Sequence, residues 1–383
     1  MTSTTSDRPG PVRTIAFVLF SYGPNEPAGY ERTVGALAAG CRELGITPLI
    51  VTSGPAEPGD ADHPDMVRLA SLTLPRPIMK PGILTALKDP EPVRAELRDL
   101  LARHRVDLVV WVDALYGLGY LDAAPAGVAT VLQVHKVRAD SFFDQAIAAA
   151  GAVLPISPYM VEEARAHGYD TSGWTIVPNP LMAAAVPVPA LTRERLRQDG
   201  PVRIVSRAEP FKGLAELLSA IPDGWQRPVE LVLARAGFEY WPGMQDEVVT
   251  AVRAAAAERP DVVTVLDPLP WEKVQPFFAG AAATIIASYE PETFCNTAAE
   301  AMSTGTPVVG FGIGNLPHLV GDGGVMVALE RGYGALWQEV GRLTDDEARY
   351  HDVSASAARR TAEHAPASIV RALIAATRTT AAG

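Results

Sequence analysis

Short apolar runs alternate with longer amphipathic segments along the chain from residue 12 onward. Such runs are typical of strands buried on both faces, and the amphipathic segments are typical of helices that cover them. The alternation therefore predicts parallel sheets covered by helices. In the first part of the chain the predicted strands are 14–20, 48–52, 106–112, 129–134, 152–156 and 174–177. Helices are predicted between them at 30–44, 92–104, 141–149 and 158–167.

An Ala- and Pro-rich stretch, 179–201, interrupts this pattern and contains one short charged helix at 193–198. A Pro-rich break between two periodic regions is typical of an interdomain linker. The alternation then restarts and continues almost to the end of the chain. The predicted strands of this part are 202–206, 229–234, 262–266 and 281–287, and the predicted helices are 214–220, 245–258, 271–278, 296–303 and 345–379.

These elements predict an α/β protein with two doubly wound domains. The first domain is placed at 12–180, the linker at 181–200 and the second domain at 201–360. Residues 1–11 are polar and are expected to form a disordered tail.

Two carboxylates lie eight residues apart where the strand 281–287 gives way to the helix 296–303. Glu292 falls in the loop and Glu300 on the helix. Open α/β sheets bind ligands in the crevice at the carboxyl ends of their strands, so the two acids can grip two parts of one ligand. Thr297-Ala-Ala-Glu300 also matches a capping box, in which Glu300 would only satisfy a backbone N–H. The spacing alone leaves both interpretations open.

Other polar side chains also follow predicted strands. Arg207 and Lys212 come after the strand 202–206, where a guanidinium and an ammonium group can bind phosphate oxygens. A solvated turn with two basic side chains is the alternative. His135 and Asp113 each follow a strand of the first domain. A histidine at a strand end is often only structural, and Asp113 is the weaker candidate of the two.

Composition and charge exclude several classes of protein. The formal net charge of −11 argues against a nucleic-acid-binding protein, which would carry a basic face. The sequence has neither a Lys/Arg-rich amphipathic helix nor a long apolar stretch, so stable membrane association is not expected. It also shows no signal peptide, so a cytoplasmic location is expected. The two cysteines, Cys41 and Cys295, have neither disulfide nor metal spacing. A homodimer is compatible with these observations.

Four segments, in order, resemble the signatures of the retaining glycosyltransferases called family 4. Glu292, seven residues and Glu300 resemble its E-x7-E motif. Arg207 with Lys212-Gly213 resembles its R-x4-K-G segment, and Gly29-Tyr-Glu-Arg32 is similar to its GGxER loop. Residues 152–157 with 177–180 resemble its "vSxxm…viPNg" stretch. The resemblance implies the GT-B fold, in which two Rossmann-like domains face each other across a cleft. It also implies that a last helix, at 361–383, packs back on the first domain.

The resemblance further implies a role for each site residue. The second domain would bind a nucleoside-diphosphate sugar of the UDP or GDP type as co-substrate, and the first domain would bind the acceptor. The implied catalytic residues are Glu292, Arg207, Lys212 and His135. The implied donor-binding residues are Gly29, Phe294, Cys295, Asn296, Thr297 and Glu300, with Glu292 on the sugar and Glu300 on the ribose. The acceptor-binding candidates are Tyr22, Asn25 and Asp113.

The chain departs from the family pattern at several positions. Ala28 and Cys295 stand where the family usually has glycine, Asn315 replaces a glycine, and His318 replaces a glutamate. No Asp-x-Asp pair suited to an obligatory metal is visible, so metal-independent activity without a further cofactor is expected. The acceptor is expected to be a small soluble molecule, such as a natural product, a sugar or an aminocyclitol, and residues 69–90 could form a lid or wall of its site.

Three competing functions remain to be weighed. A nicotinamide-dependent dehydrogenase is disfavoured because Gly310, Gly312 and Gly314 lack the G-x-G-x-x-G spacing. A sugar phosphorylase or nucleotide-sugar epimerase would share the fold and much of the site. A non-catalytic sugar-binding protein would share the fold but would have no reason to keep the acidic and basic residues.

Overall fold

A computed structural model describes residues 11–57 and 60–380 of the chain. The predicted tail therefore lies, apart from residue 11, outside the described residues. The rest of the chain forms two α/β units, each built on parallel strands, as the pattern of apolar runs predicts.

The first unit contains a six-stranded parallel sheet in the order β3-β2-β1-β4-β5-β6. Helices connect β1 to β2, β3 to β4 and β5 to β6, since parallel strands cannot be linked by tight hairpins. The strands are β1 (Thr14–Val18), β2 (Thr47–Gly54), β3 (Met66–Thr73), β4 (Leu108–Val112), β5 (Ala129–Val134) and β6 (Ala152–Pro155). The helices are α1 (Gly29–Glu43), α2 (Lys80–Ala86), α3 (Glu91–Arg103), α4 (Ser141–Ala149) and α5 (Pro158–Ala166).

Two elements of this unit, β3 and α2, are not predicted by the sequence pattern, and one predicted strand does not form. Strand β3 escapes prediction because it lies at the sheet edge with several exposed positions, which hides the apolar run. Helix α2 is short and begins at a Lys-Pro pair. The predicted strand 174–177 is wrong. The segment makes backbone bonds to β6, but Pro155 offers no N–H in return and Pro178 follows, so no ladder forms.

The second unit contains two three-stranded parallel sheets, in the orders β7-β8-β9 and β10-β11-β12. A parallel bridge between Val202 and Ala283 joins them, and the Arg203 N–H donates to the Ala283 carbonyl at 3.1 Å. The strands are β7 (Val202–Arg207), β8 (Val229–Ala234), β9 (Val263–Leu266), β10 (Thr284–Ile286), β11 (Val308–Phe311) and β12 (Gly324–Val327). The helices, numbered on from α6 in the linker, are α6 (Ala190–Asp199), α7 (Leu214–Ser219), α8 (Met244–Ala257), α9 (Trp271–Ala279), α10 (Asn296–Ser303), α11 (Leu316–Val320), α12 (Gly332–Asp345) and α13 (Glu347–Thr361).

The last helix, α14 (Pro366–Thr380), lies on the first unit against α1. The predicted single helix 345–379 is thus divided, and Pro366 begins a new helix because proline cannot continue the preceding one. A Cβ at Gly40 would lie 2.5 Å from the Pro366 backbone, so glycine permits the close approach of α1 and α14. Val370 and Leu373 are fully buried in the core beneath β1.

The chain therefore passes between the units twice, and the two passages lie side by side. The Leu181 N–H, at the start of the linker, donates to the His364 carbonyl at 2.8 Å. None of the helices in the described ranges is both long and apolar enough to cross a membrane.

Candidate active site

A cleft of about 340 Å³ lies between the two units. It is bounded by residues that follow the carboxyl ends of β1, β5, β7 and β10, which is where open parallel sheets expose backbone and side chains to a ligand. Nine residues singled out from the sequence line it: Gly29, His135, Arg207, Lys212, Glu292, Phe294, Cys295, Asn296 and Thr297.

Glu292 and Lys212 form an ion pair in the wall of the cleft. The Lys212 Nζ lies 2.6 Å from Glu292 Oε1, and each side chain is 15% exposed. The Ser288 hydroxyl donates to the same oxygen at 2.5 Å. Burial raises the pKa of the Glu292 carboxyl, but the Lys212 charge and these hydrogen bonds outweigh burial and hold the pKa below its usual value. Glu292 is therefore a carboxylate at neutral pH.

The backbone of Glu292 is fixed by a neighbouring loop. Gly314 forms a parallel bridge with Glu292, and the Asn315 N–H donates to the Glu292 carbonyl at 2.7 Å. Gly314 has φ +61°, and a Cβ there would lie 2.6 Å from the Glu292 nitrogen and oxygen. The Asn315 side chain also donates to the Phe294 carbonyl at 3.1 Å. Gly314 and Asn315 thus hold the loop that carries the acid.

Arg207 provides a second cation in the same wall. Its Nη1 lies 2.7 Å from Glu209 Oε1, and its side chain is 28% exposed, whereas that of Glu209 is 2% exposed. Arg207 also interacts electrostatically with Glu292 and with Glu31 across the cleft. Two cations and three carboxylates therefore share one region of the cleft.

The amino terminus of α10 faces the first unit. Asn296 donates through Nδ2 to the Gly29 carbonyl at 3.3 Å and accepts through Oδ1 from Asn179 at 3.0 Å. Cys295, the residue before the helix, has φ +76°, in the left-handed region where glycine is favoured. This conformation explains in physical terms why glycine would be the ordinary residue at that position.

Glu300 does not act as a helix cap. Helix α10 begins at Asn296 after Cys295 and has no side-chain cap, which places Thr297 inside its first turn. The capping-box interpretation is therefore wrong. Glu300 instead pairs with Arg32 of α1, and both side chains are buried. Glu300 lies behind the cleft surface, whereas Arg32 lines it. The second carboxylate oxygen of Glu300, Oε2, has no hydrogen-bond partner among the described residues.

His135 follows β5 and is buried in the wall formed by the first unit. Its ring lies 4.6 Å from the Tyr30 ring, and its Nε2 has no hydrogen-bond partner within the described ranges. Burial lowers the pKa of His135 to about 3, so the imidazole is neutral at physiological pH. A neutral imidazole with an unused nitrogen can orient a hydroxyl group of a ligand.

The three acceptor-site candidates, by contrast, do not line the cleft. Tyr22 is buried in the core beneath α1 and packs edge-on against Trp271 at 6.2 Å. Asn25 accepts the backbone N–H of Trp271 at 3.1 Å and so holds the start of α9. These side chains stabilise the scaffold because the loop that carries them is docked on the second unit.

Asp113 is fully buried and also supports the structure. It accepts from the Leu115 and Tyr116 N–H groups at 3.1 and 3.2 Å and from the Tyr30 hydroxyl at 3.2 Å. Its carboxylate lies 4.0 Å from Arg138. Asp113 therefore positions the aromatic rings that line the cleft and does not itself reach a ligand.

Several residues that line the cleft escaped sequence reasoning. Glu31 and Arg32 stand in the segment that resembles the GGxER loop, and Asn179 stands in the Pro-Asn-Pro segment, so motif position could have identified all three. Phe20 and Tyr116 carry no such signal, because aromatic residues after strands are as common in cores as in sites.

A backbone contact joins the two units at one end of the cleft. Ile78 of the first unit pairs with Phe238 of the second in a parallel bridge, and the Ile78 N–H donates to the Gly237 carbonyl at 2.7 Å. The Glu26 carboxylate accepts the Gly237 N–H at 2.6 Å. Residues 69–90, expected to form a lid or wall, make this contact beside the cleft, but none of them is among the residues that line it.

Each unit matches the model of a known glycosyltransferase domain family. Residues 28–180 match the model described as "Glycosyl transferase 4-like domain", and residues 202–346 match "Glycosyl transferases group 1". The two matched ranges together cover most of both units and leave β1, the linker and the last two helices outside.

Curated relatives match over part of the chain. A D-inositol 3-phosphate glycosyltransferase of Corynebacterium efficiens is 32% identical over 154 residues, which is 39% of this chain and 35% of that protein. An alpha-maltose-1-phosphate synthase of Mycolicibacterium smegmatis is 35% identical over 127 residues, 32% of this chain and 31% of the relative. The match thus spans about a third of the length of each relative.

Solved structures match over nearly the whole chain. HepE of Anabaena, solved in complex with UDP-glucose, superimposes with a TM-score of 0.71 at 17% identity, covering 96% of this chain and 99% of HepE. At that identity the likeness concerns the fold, and it confirms the predicted arrangement of two Rossmann-like domains.

Proposed function

We propose that this chain, which belongs to the GT-B type glycosyltransferase family, is a retaining glycosyltransferase. It would move a sugar from a nucleoside-diphosphate sugar to a small acceptor. The observation that carries the proposal is the Lys212–Glu292 pair, which lies in a cleft between two Rossmann-like units beside Arg207.

Arg207 and Lys212 would stabilise the leaving diphosphate. Negative charge grows on the leaving group as the glycosidic bond breaks, and preorganised cations stabilise that charge most effectively in a site that excludes water. Asn296 and Thr297, the first residues of α10, line the same cleft, and their N–H groups would add hydrogen-bond donors. The UDP-glucose complex of HepE supports a nucleotide sugar as the donor.

Glu292 and His135 would orient the transferred sugar from opposite walls. A carboxylate accepts from two hydroxyl groups, and Glu292 is held by Lys212, Ser288 and Gly314 so that its second oxygen, Oε2, is available to the sugar. The neutral His135 ring would contact a hydroxyl group through Nε2. Neither residue needs to form a covalent intermediate in this scheme.

Retention would follow from front-face attack. The acceptor oxygen would form its bond to the anomeric carbon on the face from which the diphosphate departs, and the departing phosphate oxygen would take the acceptor proton. The bond to the diphosphate oxygen breaks as the new glycosidic bond forms. Arg207 and Lys212 provide the positive charge at this step, so we propose that turnover needs no metal ion.

Turnover of a panel of UDP- and GDP-sugars tests the activity. We expect nucleoside diphosphate release that survives a chelator, and an α-linked product from an α-linked donor by NMR. Glu292→Ala should reduce release about a hundredfold, whereas Glu290→Ala, an exposed neighbour in the same loop, should change it little. Release that depends on inorganic phosphate would instead indicate a phosphorylase, and a β-linked product would exclude retention.

Nucleotide affinity tests the part proposed for Glu300. Its Oε2 has no partner in the described structure, while Oε1 pairs with Arg32. If Oε2 accepts a ribose hydroxyl, Glu300→Gln should weaken UDP or GDP binding about tenfold in calorimetry without loss of fold. Binding equal to that of the unmodified protein would leave Glu300 a purely structural partner of Arg32.

A further inference from the structure

We propose that Glu31 and Glu209 form an acidic corner of the cleft that binds an ammonium group on the acceptor. This inference rests on the proposed function and narrows the acceptor to amino sugars, aminocyclitols and similar amino alcohols. The acidic corner is defined by these two side chains and lies between α1 of the first unit and the segment after β7 of the second.

Four carboxylates line the cleft. They are Glu31, Glu209, Glu290 and Glu292. Lys212 and Ser288 bond Glu292 Oε1, and its Oε2 is assigned to the donor sugar above, while Glu290 is exposed to solvent. Glu31 and Glu209 are the two that are both buried, at 6% and 2% exposure, and incompletely bonded.

Each of these two acids has one oxygen without a partner. Glu31 Oε2 and Glu209 Oε2 are buried and accept no hydrogen bond from any residue in the described ranges. A buried polar atom left unpaired destabilises a protein, so such atoms in a binding cleft point to a ligand that supplies the missing hydrogen bonds. Two unpaired carboxylate oxygens in the acidic corner favour a ligand with several hydrogen-bond donors.

The charged groups around the acidic corner favour a cationic ligand. Glu31 faces Ser21, Glu26 and Arg207, and Glu209 faces Arg207 and Tyr240. Arg207 is thus the cation near both carboxylates. When a diphosphate engages Arg207, the two carboxylates lose much of their neutralising charge, and a cationic acceptor can replace it.

An ammonium group fits this corner better than a hydroxyl group. It carries a full positive charge and three N–H donors, whereas a hydroxyl group is uncharged and has one donor. Burial and the Glu26 charge raise the pKa of the Glu31 carboxyl to about 7. A bound cation would favour the carboxylate form and strengthen the contact.

Binding of a matched pair of sugars, D-glucosamine and D-glucose, tests the inference. The two probes differ at one position, where an ammonium group replaces a hydroxyl group. NMR titrations in saturating UDP should show D-glucosamine binding at least about tenfold more tightly than D-glucose. Glu31→Gln should bring the two affinities within about threefold, because the amide keeps its shape and loses its charge.

Glu290→Gln is the matched control, since it removes an exposed carboxylate that also lines the cleft. It should leave the preference for D-glucosamine unchanged. UDP affinity, measured first, shows that each variant is folded and separates the two proposals. Failure of both UDP and GDP to bind the unmodified protein would overturn the proposed function together with this inference. Nucleotide binding with equal affinity for the two sugars would overturn the acidic corner alone.

Discussion

The two walls of the cleft differ in chemistry. In the second unit, Lys212, Glu292 and Arg207 are joined to charged partners at 2.6–2.7 Å, and the loops that carry them are fixed by further hydrogen bonds. In the first unit, aromatic rings, with Phe20 and Tyr116 at 4.9 Å, and the neutral His135 lie beside charged side chains that also line the cleft. The charged wall is therefore defined by the ion pairs of the second unit, and the aromatic wall by the uncharged rings of the first unit.

This difference indicates a division of roles between the walls. Preorganised ion pairs suit a ligand whose charge is always the same, as a diphosphate is, because they need no reorganisation during the reaction. Aromatic surfaces accept sugars and other polyhydroxylated molecules of varied shape through their apolar faces. We therefore expect substitutions in the charged wall to change rate most and those in the aromatic wall to change stability or acceptor choice.

Lys212→Ala should have the largest effect, because it removes a cation from the leaving group and leaves Glu292 without its ion-pair partner. We expect the turnover number for nucleoside diphosphate release to fall about a hundredfold or more. Lys273→Ala, on the exposed face of α9, is the control and should keep full activity. Equal rates in the two variants would show that the charged wall does not serve the reaction.

Gly314→Ala should damage the same wall without changing any charge. The new Cβ would lie 2.6 Å from the Glu292 backbone at φ +61°, so the loop must move. We expect turnover to fall about tenfold or more, since small displacements of a catalytic group are costly. Gly312→Ala, where the nearest atom is 3.5 Å away, should remain active. Unchanged turnover in Gly314→Ala would mean that the position of Glu292 is unimportant.

His135→Gln tests the aromatic wall through pH. Burial depresses the pKa of His135 to about 3, so the unfolded chain takes up a proton below about pH 6.5 while the folded chain does not. The histidine therefore contributes stability at pH 7 that is lost as pH falls, at about 1.4 kcal/mol per pH unit between pH 6 and 4. Urea unfolding should show a weaker pH dependence for His135→Gln than for the unmodified protein.

Other titrating groups also make the free energy of unfolding depend on pH, including Glu31 with its raised pKa and His364 with its lowered pKa. A second histidine variant, which keeps all of these groups, is therefore needed for comparison. His167→Gln makes the same substitution at an exposed histidine after α5 and is the reference for His135→Gln. Identical slopes for the two variants would show that His135 titrates in the folded protein as it does in water.

Cys295→Gly should have the smallest effect and the opposite sign. The left-handed conformation at Cys295 costs a non-glycine residue about 1 kcal/mol, so glycine should raise the free energy of unfolding by about that amount. Cys295→Ala keeps a Cβ and should show no such gain. A glycine variant less stable than the alanine variant would contradict the assigned strain.

The sequence predicted the fold well because apolar runs record burial directly. Strand β5 and helices α4 and α10 have the predicted bounds. Strand β3 was missed because an edge strand buries only part of its length. The helix at 345–379 was predicted as one element from its Ala- and Arg-rich composition, which does not mark the break between Thr361 and Pro366.

The site was less predictable, for a physical reason that separates its two halves. Lys212 and Glu292 lie on neighbouring loops of one unit, so motif spacing placed them together. Asn25 also lies in the expected loop, but the loop docks on Trp271 and turns the side chain away from the cleft. Contacts between units depend on shape rather than on local pattern, and sequence spacing carries little information about shape. The roles of the cleft residues stay predictions until they are measured.

The position of α14 has a consequence for how the protein is made. Val370 and Leu373 complete the core beneath β1, yet the ribosome adds them only after the whole second unit. The first unit therefore emerges with part of its apolar surface uncovered and cannot finish packing until synthesis reaches these residues. A nascent chain arrested before residue 366 should consequently hold a well-packed second unit beside a first unit that chaperones still recognise.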